Sequence, residues 1–243
     1  MILFFSGTGN SRMVAERMAV LLGERSQDMA CGLHPHLDEG ESLGIVFPVY
    51  AWGVPRLVSR FLSSLQVGRR YVWLLMTCGD DMGYADRRMA RVLHREADAA
   101  FSVQMPNTYV CLPGFDVDSP EVAEGKVRDT LARLEDIALR VRNRESCQEL
   151  TRGCMAWMKT YMLGPLFNAF LVTDRYFRTT EACIHCGLCA RSCPTHDIEM
   201  QGDHPVWLHQ DCTGCLRCYH HCPAHAIEWG RFTAGKGQKG PLA

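Results

Sequence analysis

Short apolar runs alternate with amphipathic stretches along residues 1–119. Continuous apolar runs are typical of buried strands, whereas apolar residues three and four positions apart indicate helices. The pattern predicts strands over residues 1–5, 28–33, 43–47, 71–76 and 101–112, and helices over residues 11–22, 54–65, 84–97 and 120–144. Because the two kinds of element alternate through short connections, we expect an α/β fold, with a doubly wound, five-stranded parallel sheet between layers of helices.

A strongly apolar segment follows at residues 150–172. A membrane span is one interpretation of this segment, but Lys159 and Asn168 would face hydrocarbon and Gly164-Pro165 would interrupt the helix. We therefore predict no membrane span and a connector whose apolar face packs between two domains. The predicted organisation is a first domain over residues 1–146, a helical connector over 147–179, a second domain over 180–232 and a flexible, Gly- and Lys-rich tail over 233–243.

The second domain contains one cysteine motif twice. The motif C-x₂-C-x₂-C-x₃-C-P begins at Cys183 and returns 29 residues later at Cys212. In this spacing three thiolates hold one [4Fe–4S] cluster, and the fourth points towards the other cluster. The predicted ligand sets are Cys183, Cys186, Cys189 and Cys222 for one cluster, and Cys212, Cys215, Cys218 and Cys193 for the other. Zinc is the alternative, although zinc sites usually collect two cysteine pairs into one set of four ligands.

Composition limits the classes of function. Of the 13 cysteines, eight lie between Cys183 and Cys222, which indicates a local cofactor site in a reducing compartment and not a disulfide scaffold. The net charge of −1 gives no basic surface for nucleic acid and no polybasic membrane anchor. The apolar run at residues 1–5 is too short for the core of a signal peptide, so we expect a cytoplasmic protein.

A polar, glycine-containing loop joins the first predicted strand to the first predicted helix. Its residues are Ser6, Gly7, Thr8, Gly9, Asn10 and Ser11. Backbone N–H groups at such a turn, beside the positive end of a helix, form a phosphate site. The loop lacks the lysine of a Walker A motif, and Arg12 replaces the third glycine of the dinucleotide fingerprint. Its hydroxyl and amide side chains instead suit the terminal dianion of a mononucleotide.

This loop resembles the FMN-phosphate loop of flavodoxins, [ST]-x-T-G-x-[ST]. The resemblance implies the strand order 2-1-3-4-5, with FMN at the carboxyl ends of the strands. Two later segments are similar to flavodoxin loops that contact the flavin ring: Tyr50, Trp52 and Gly53 after the third strand, and Thr77, Cys78 and Gly79, with Tyr84 downstream, after the fourth. By resemblance, an aromatic side chain from each segment covers one flavin face, and the Gly53 peptide reorients to accept from flavin N5–H. Which aromatic side chains stack on the flavin stays open.

Residues 181–230 resemble a bacterial two-cluster ferredoxin, and the two halves together resemble the fused proteins called EFR1-family ferredoxins. The resemblance implies two [4Fe–4S] clusters, FMN and electron transfer with a redox partner protein in anaerobic metabolism. Six acids against two bases in residues 181–230 favour a partner with a basic surface. A second hypothesis is an FMN-dependent reductase of a small acceptor, although no paired His or carboxylate groups lie near the flavin loops in the sequence. A third is a non-redox binding module stabilised by metal.

Overall fold

A six-stranded parallel sheet forms the centre of the first domain in the computed structural model, which describes residues 1–240. Its strands are β1 (Ile2–Phe4), β2 (Ser26–Asp28), β3 (Leu43–Pro48), β4 (Val72–Cys78), β5 (Ala99–Gln104) and β6 (Cys147–Glu149). Their order is 2-1-3-4-5-6, and every neighbouring pair is parallel. The first five strands therefore have the predicted flavodoxin-like order, in which the chain reverses direction beside β1 and leaves a crevice at the carboxyl ends.

Helices cover both faces of the sheet because successive side chains of a strand point to opposite sides. These helices are α1 (Asn10–Leu22), α2 (Arg56–Ser63), α3 (Ala85–Leu93) and α4 (Pro120–Arg142). On one face, Phe5, Phe47 and Met76 pack in a buried core with α2 and α3. On the other face, Trp73 and Phe101 pack with α1 and α4. The predicted doubly wound α/β fold is confirmed.

The second strand lies earlier than the prediction of residues 28–33. The side chain of Asp28 accepts a hydrogen bond from Ala30 N (2.9 Å) and starts a 3₁₀ turn at Met29–Cys31. This hydrogen bond to a side chain holds the backbone in a turn, so the apolar residues that follow Asp28 do not continue the strand. The strand itself ends at Asp28, on the outer edge of the sheet.

The other edge of the sheet contains a strand that the hydrophobic pattern does not predict. β5 ends at Gln104, well before residue 112, because Pro106 has no N–H to donate to a neighbouring strand. β6 then pairs with the start of β5, although its sequence Cys-Gln-Glu contains no apolar run. Residues 147–149 therefore belong to the sheet and not to the helical connector.

The connector is one interrupted helix that packs on the loop after β3. It runs from α5 (Ala156–Met158) through a π-helical turn at Lys159–Leu163 into α6 (Gly164–Phe170). Pro165 has no N–H for the carbonyl four residues earlier, which accounts for the wider turn. A β-carbon on Gly164 would stand 2.7 Å from Ala51 O, so only glycine permits this approach. Within residues 1–240, no helix combines the length and the apolar character needed to cross a bilayer.

The cysteine-rich domain is built from two similar halves. Its elements are β7 (Phe177–Thr179), α7 (Leu188–Ser192), β8 (Ile198–Gln201), β9 (His204–Trp207), α8 (Arg217–His220) and β10 (Ile227–Trp229). β8 pairs with β9 and β10 pairs with β7, both antiparallel. Val110 and Cys111, from the loop after β5, are buried in the same core as Trp207 and Trp229. The two domains therefore share part of one core.

The chain after β10 returns to the first domain. Lys236 Nζ donates to Val110 O (2.7 Å) and Leu112 O (2.6 Å), and Gly237 N donates to Asp116 Oδ1 (3.0 Å). Residues 236 and 237 are therefore anchored, whereas a flexible tail was predicted for residues 233–243. The sequence pattern did not reveal this because the anchoring contacts are hydrogen bonds to single polar atoms and not apolar packing. Residues 241–243 of that prediction lie outside the described part of the chain.

Candidate cofactor sites

Eight cysteines surround two small cavities in the second domain, four around each. Cys183, Cys186, Cys189 and Cys222 line the outer cavity, and Cys193, Cys212, Cys215 and Cys218 line the inner cavity. These are the two sets that the motif spacing predicts. Each set surrounds a space, whereas no three Cys, His, Asp or Glu side chains within residues 1–240 stand close enough to share one metal ion.

Hydrogen bonds to sulfur repeat in the two halves. Asp197 N donates to Cys193 Sγ (3.4 Å), and at the equivalent position Ala226 N donates to Cys222 Sγ (3.3 Å). Such bonds stabilise thiolate charge and help to set the reduction potential of a cluster. Burial raises the pKa of the Cys212 and Cys218 thiols, so a bound cation is needed to favour their thiolate forms.

A larger cavity, of about 400 Å³, opens at the carboxyl end of the sheet, and we call it the central cavity. Most residues of the predicted flavin site line it: Ser6, Gly7, Thr8, Asn10, Ser11, Tyr50, Trp52, Thr77, Cys78 and Gly79. Gly9 does not line the cavity but has φ 101° at the start of α1, a conformation that favours glycine. Its N–H donates to Ser6 Oγ (3.1 Å) and so closes the loop.

The loop after β1 has unused backbone donors. It is almost completely buried, since Ser6, Thr8, Asn10 and Ser11 are each at most 8% exposed. Within residues 1–240, five backbone N–H groups of this loop donate to no atom, those of Ser6, Gly7, Thr8, Asn10 and Ser11. Because buried N–H groups at the positive end of a helix need an acceptor, an anion is the ligand that satisfies them. The donor set therefore fits a phosphate monoester.

The loop after β3 forms a tight turn at the rim of the central cavity. Tyr50 N donates to Gly53 O (3.2 Å) and Gly53 N donates to Tyr50 O (2.9 Å). Between them Ala51 and Trp52 have φ values of 47° and 55°, left-handed positions that turns usually give to Gly or Asn. This strained turn places Tyr50 and Trp52 in the cavity wall and leaves Gly53 outside it.

Tyr84 does not line the central cavity. Its ring lies between the guanidinium groups of Arg87 (4.6 Å) and Arg152 (4.5 Å) and stacks on Tyr161 of the connector. The prediction that Tyr84 covers a flavin face does not fit this position, because Met82-Gly83 turns the chain away before α3 begins. Five aromatic residues that the sequence did not single out for the flavin site line the cavity instead: Tyr109, Phe115, Phe167, Phe177 and Trp229.

A charged pair also lines the central cavity and was not predicted. Lys159 Nζ, from the connector, lies 2.5 Å from Asp81 Oδ2, in the loop after β4. Both side chains are mostly buried, with 23% and 14% of their surfaces exposed. They are 78 residues apart in the chain, and only the packing of the connector brings them together.

The inner cluster set lies directly on the phosphate loop. A β-carbon on Gly7 would stand 2.7 Å from Cys215 O, and Cys215 lines both the inner cavity and the central cavity. Arg217 fixes this contact: its Nε donates to Gly7 O (2.9 Å), another of its nitrogens donates to Ser6 O, and a third donates to Ser192 O (3.0 Å). One arginine therefore joins the phosphate loop to both halves of the cysteine-rich domain.

Comparisons with known proteins find one family model and one solved structure that are similar to parts of this chain. Residues 175–225, which include all eight clustered cysteines, match a family model described as a 4Fe-4S dicluster domain. The solved flavodoxin of Streptococcus pneumonia TIGR4 is similar at 16% identity, over 59% of this chain and 97% of that chain, with a TM-score of 0.38. No curated protein matches the chain significantly.

The strand order and the dicluster match define the class of protein. The chain is a flavodoxin-like domain fused to a ferredoxin-type domain, and the latter contains the residues that match the 4Fe-4S dicluster model. The match supports [4Fe–4S] clusters over zinc, and such clusters indicate electron transfer. Membership of the EFR1 type stays a prediction.

Proposed function

We propose that this protein is an iron–sulfur flavoprotein that passes electrons between two [4Fe–4S] clusters, FMN and a redox partner protein in anaerobic metabolism. The observation that carries the proposal is the position of Cys215, a residue that lines both the inner and the central cavity. Cofactors in these two cavities share that wall. When bound, the clusters supply one-electron carriers, and FMN supplies a carrier of one or two electrons.

The two cysteine sets differ in their exposure to solvent, and this difference assigns them different electron-transfer partners. In the outer set Cys186 is exposed, and its neighbour Ile184 is 62% exposed. In the inner set Cys215 lies against Gly7 of the first domain. The outer set is therefore the side on which a partner exchanges electrons, and the inner set is the side that exchanges them with the flavin.

Different residues that line the central cavity would bind different parts of FMN. The loop Ser6–Ser11 supplies free N–H groups for the phosphate. Trp52 and Tyr109 supply aromatic surface for the ring from opposite elements, the turn after β3 and the loop after β5. Cys78 supplies packing and not acid–base chemistry, because burial raises the pKa of its thiol to about 12.

The partner is a protein with a basic surface. Three exposed carboxylates lie in the half of the second domain that carries the outer set: Glu181, Glu199 and Asp203. Opposite charge on a partner would steer association, and added salt would slow it. Electron exchange with the partner is therefore expected to slow as ionic strength rises.

A reductase of a small acceptor is the second candidate function. The Lys159–Asp81 pair favours it, because a mostly buried ammonium group in the cavity wall is a proton donor that the sequence did not reveal. In this case the chain would bind the acceptor beside the flavin and protonate it from Lys159. The carrier function requires no such turnover.

Anaerobic stepwise reduction, followed by absorbance and electron spin resonance, tests the proposal. The carrier predicts two reducible [4Fe–4S] clusters and one flavin per chain, without rapid flavin reoxidation by quinones, nitro compounds or other small acceptors. Rapid reoxidation that Lys159→Met abolishes would establish the reductase instead. Zinc in place of iron and sulfide in the anaerobically purified protein would contradict both functions.

A matched pair of cysteine variants tests the role of the inner set. Cys215→Ser should lose one cluster signal and slow flavin reduction by the remaining cluster at least tenfold. Cys154→Ser changes an exposed cysteine outside both sets and should alter neither quantity. Unchanged flavin reduction in Cys215→Ser would contradict the path through the inner set.

A further inference from the structure

The C-terminal segment brings a lysine to the phosphate loop. Lys239 Nζ donates to Asn10 Oδ1, in the first turn of α1. The backbone at this point is fixed from the other domain, since Lys239 N donates to His220 Nδ1 (3.1 Å) and Gln238 Nε2 donates to Tyr219 O (2.6 Å). The ammonium group is therefore held beside the loop by α8, the helix that carries Cys218.

This ammonium group has no carboxylate in direct contact. Within the described residues, no carboxylate oxygen lies within 4.0 Å of Lys239 Nζ. Asp118, whose charge acts on Lys239 from beyond contact distance, already accepts from Lys126 Nζ (2.8 Å) and from Asn107 N (2.8 Å). The loop Ser6–Ser11 contains no charged side chain. A mostly buried cation with one neutral acceptor is unfavourable unless an anion completes its surroundings.

We propose that Lys239 is a ligand of the FMN phosphate, and that residues 236–240 form a strap that closes the phosphate site across the domain junction. The inference rests on the proposed function, because it takes FMN as the occupant of the central cavity. The ammonium group has three N–H donors, of which Asn10 uses one. A phosphate dianion accepts from the others and also from the free N–H groups of the loop.

The strap also links the phosphate site to the contact between the two domains. His220 donates from Nε2 to Thr108 O (2.7 Å) and accepts at Nδ1 from Lys239, so one imidazole joins the loop after β5 to the strap. Phosphate binding at Lys239 therefore tightens the docking of the cysteine-rich domain on the flavin domain. FMN should protect the junction against proteolysis better than riboflavin, which lacks the phosphate.

Comparison of FMN with riboflavin in Lys239 variants tests the proposal. Binding to the flavin-depleted, cluster-containing full chain is measured by quenching of flavin fluorescence. Lys239→Gln should weaken FMN binding about tenfold or more and leave riboflavin binding within about twofold, the size expected for one charge-assisted bond. Lys239→Arg, which keeps the charge, should restore most of the preference for FMN.

Lys236→Gln is the matched control, because it separates the effect of anchoring the strap from the effect of the Lys239 charge. Lys236 anchors the same segment through the carbonyls of Val110 and Leu112, and within the described residues its ammonium group donates to no atom of the phosphate loop. This variant keeps the Lys239 ammonium group and loosens only the backbone that presents it, so it should reduce the preference for FMN over riboflavin less than Lys239→Gln does. The cluster absorbance of every variant verifies that the second domain is intact.

The possible failures are distinguishable. If the unchanged protein binds FMN about tenfold or more tightly than riboflavin and Lys239→Gln keeps that ratio, the role of Lys239 is refuted while the flavin site stands. If the unchanged protein binds neither flavin, the proposed role of FMN is refuted, and the inference about Lys239 is refuted with it.

Discussion

Cys215 and Gly7 lie in van der Waals contact across the domain junction, with Cys215 O placed 2.7 Å from the position of a β-carbon on Gly7. Gly7 belongs to the loop that offers free N–H groups to a phosphate, and Cys215 belongs to the inner set of cluster cysteines. The predicted flavin site and the predicted site of the inner cluster are therefore neighbours, separated only by Gly7 and Cys215.

Replacement of Gly7 by alanine should open this contact. The added methyl group would meet Cys215 O and also Tyr50 Oη, at 2.5 Å, so the cysteine-rich domain must shift. We expect a loss of about 1–3 kcal/mol in the free energy of unfolding and slower electron exchange between cluster and flavin. Thermal unfolding and rapid-mixing absorbance measure the two effects.

Gly125→Ala is the control for that substitution. Gly125 lies inside α4, where a β-carbon would meet only the side chain of Arg128, at 3.9 Å, so alanine there should leave the junction unchanged and stabilise the helix by about 0.5–1 kcal/mol. Equal behaviour of the two variants would show that Gly7 and Cys215 are not packed as described.

Arg217→Met should loosen the docking of the two domains. The guanidinium group loses its bonds to the carbonyls of Ser6, Gly7 and Ser192, at a cost of about 2 kcal/mol, or roughly 4–8 °C in melting temperature. FMN should also bind more weakly, while the iron content stays constant. Arg231→Met, at an exposed arginine, should change none of these; a full retention of melting temperature in Arg217→Met would contradict the assigned role.

The cavity walls predict different effects for two aromatic residues. Trp52→Leu should shift the flavin absorbance and weaken FMN binding by up to about tenfold, because the indole ring lines the central cavity. Tyr84→Leu should leave the flavin spectrum unchanged and only lower the melting temperature, since its ring packs on Arg87 and Arg152. A changed flavin spectrum in Tyr84→Leu would restore the original assignment by resemblance.

FMN binding should weaken as the pH rises above 8. Burial lowers the pKa of Lys239 to about 8, so at higher pH the ammonium group must regain a proton to bind the phosphate. Of the groups around it, His220 stays neutral because burial lowers its pKa to about 4. Asp118 stays ionised because, although burial opposes this, its hydrogen bond from Lys126 lowers its pKa.

Fluorescence titrations between pH 7 and pH 9.5 measure this dependence. The dissociation constant of FMN should rise with pH above 8 in the unchanged protein and stay flat in Lys239→Gln. A flat profile in both proteins would show that the charge of Lys239 does not contribute to phosphate binding.

Local patterns in the sequence were sufficient for the features that depend on neighbouring residues. β1, β3 and β4 are continuous apolar runs, and the cysteine spacing is fixed by the motif itself. The phosphate loop is likewise contained in six consecutive residues, Ser6–Ser11. Each of these could therefore be predicted without knowledge of the tertiary structure.

The remaining features depend on contacts between distant parts of the chain. Lys239 and Asn10 are separated by 229 residues, and neither belongs to a motif that points to the other. β6 has three residues without an apolar run, so only its pairing with β5 identifies it. Tyr84 was placed by analogy, and the turn at Gly83, where φ is 57°, directs it away from the cavity.

Rapid mixing of the fully oxidised, FMN-loaded protein with a limiting one-electron reductant tests the shared wall at Cys215 most directly. Cluster and flavin bleaching are followed at separate wavelengths over a series of protein concentrations. The structure predicts that electrons redistribute between clusters and flavin within one molecule, at a rate independent of protein concentration. A redistribution rate that rises in proportion to protein concentration would show that the electrons travel between molecules, and would contradict the proposed path.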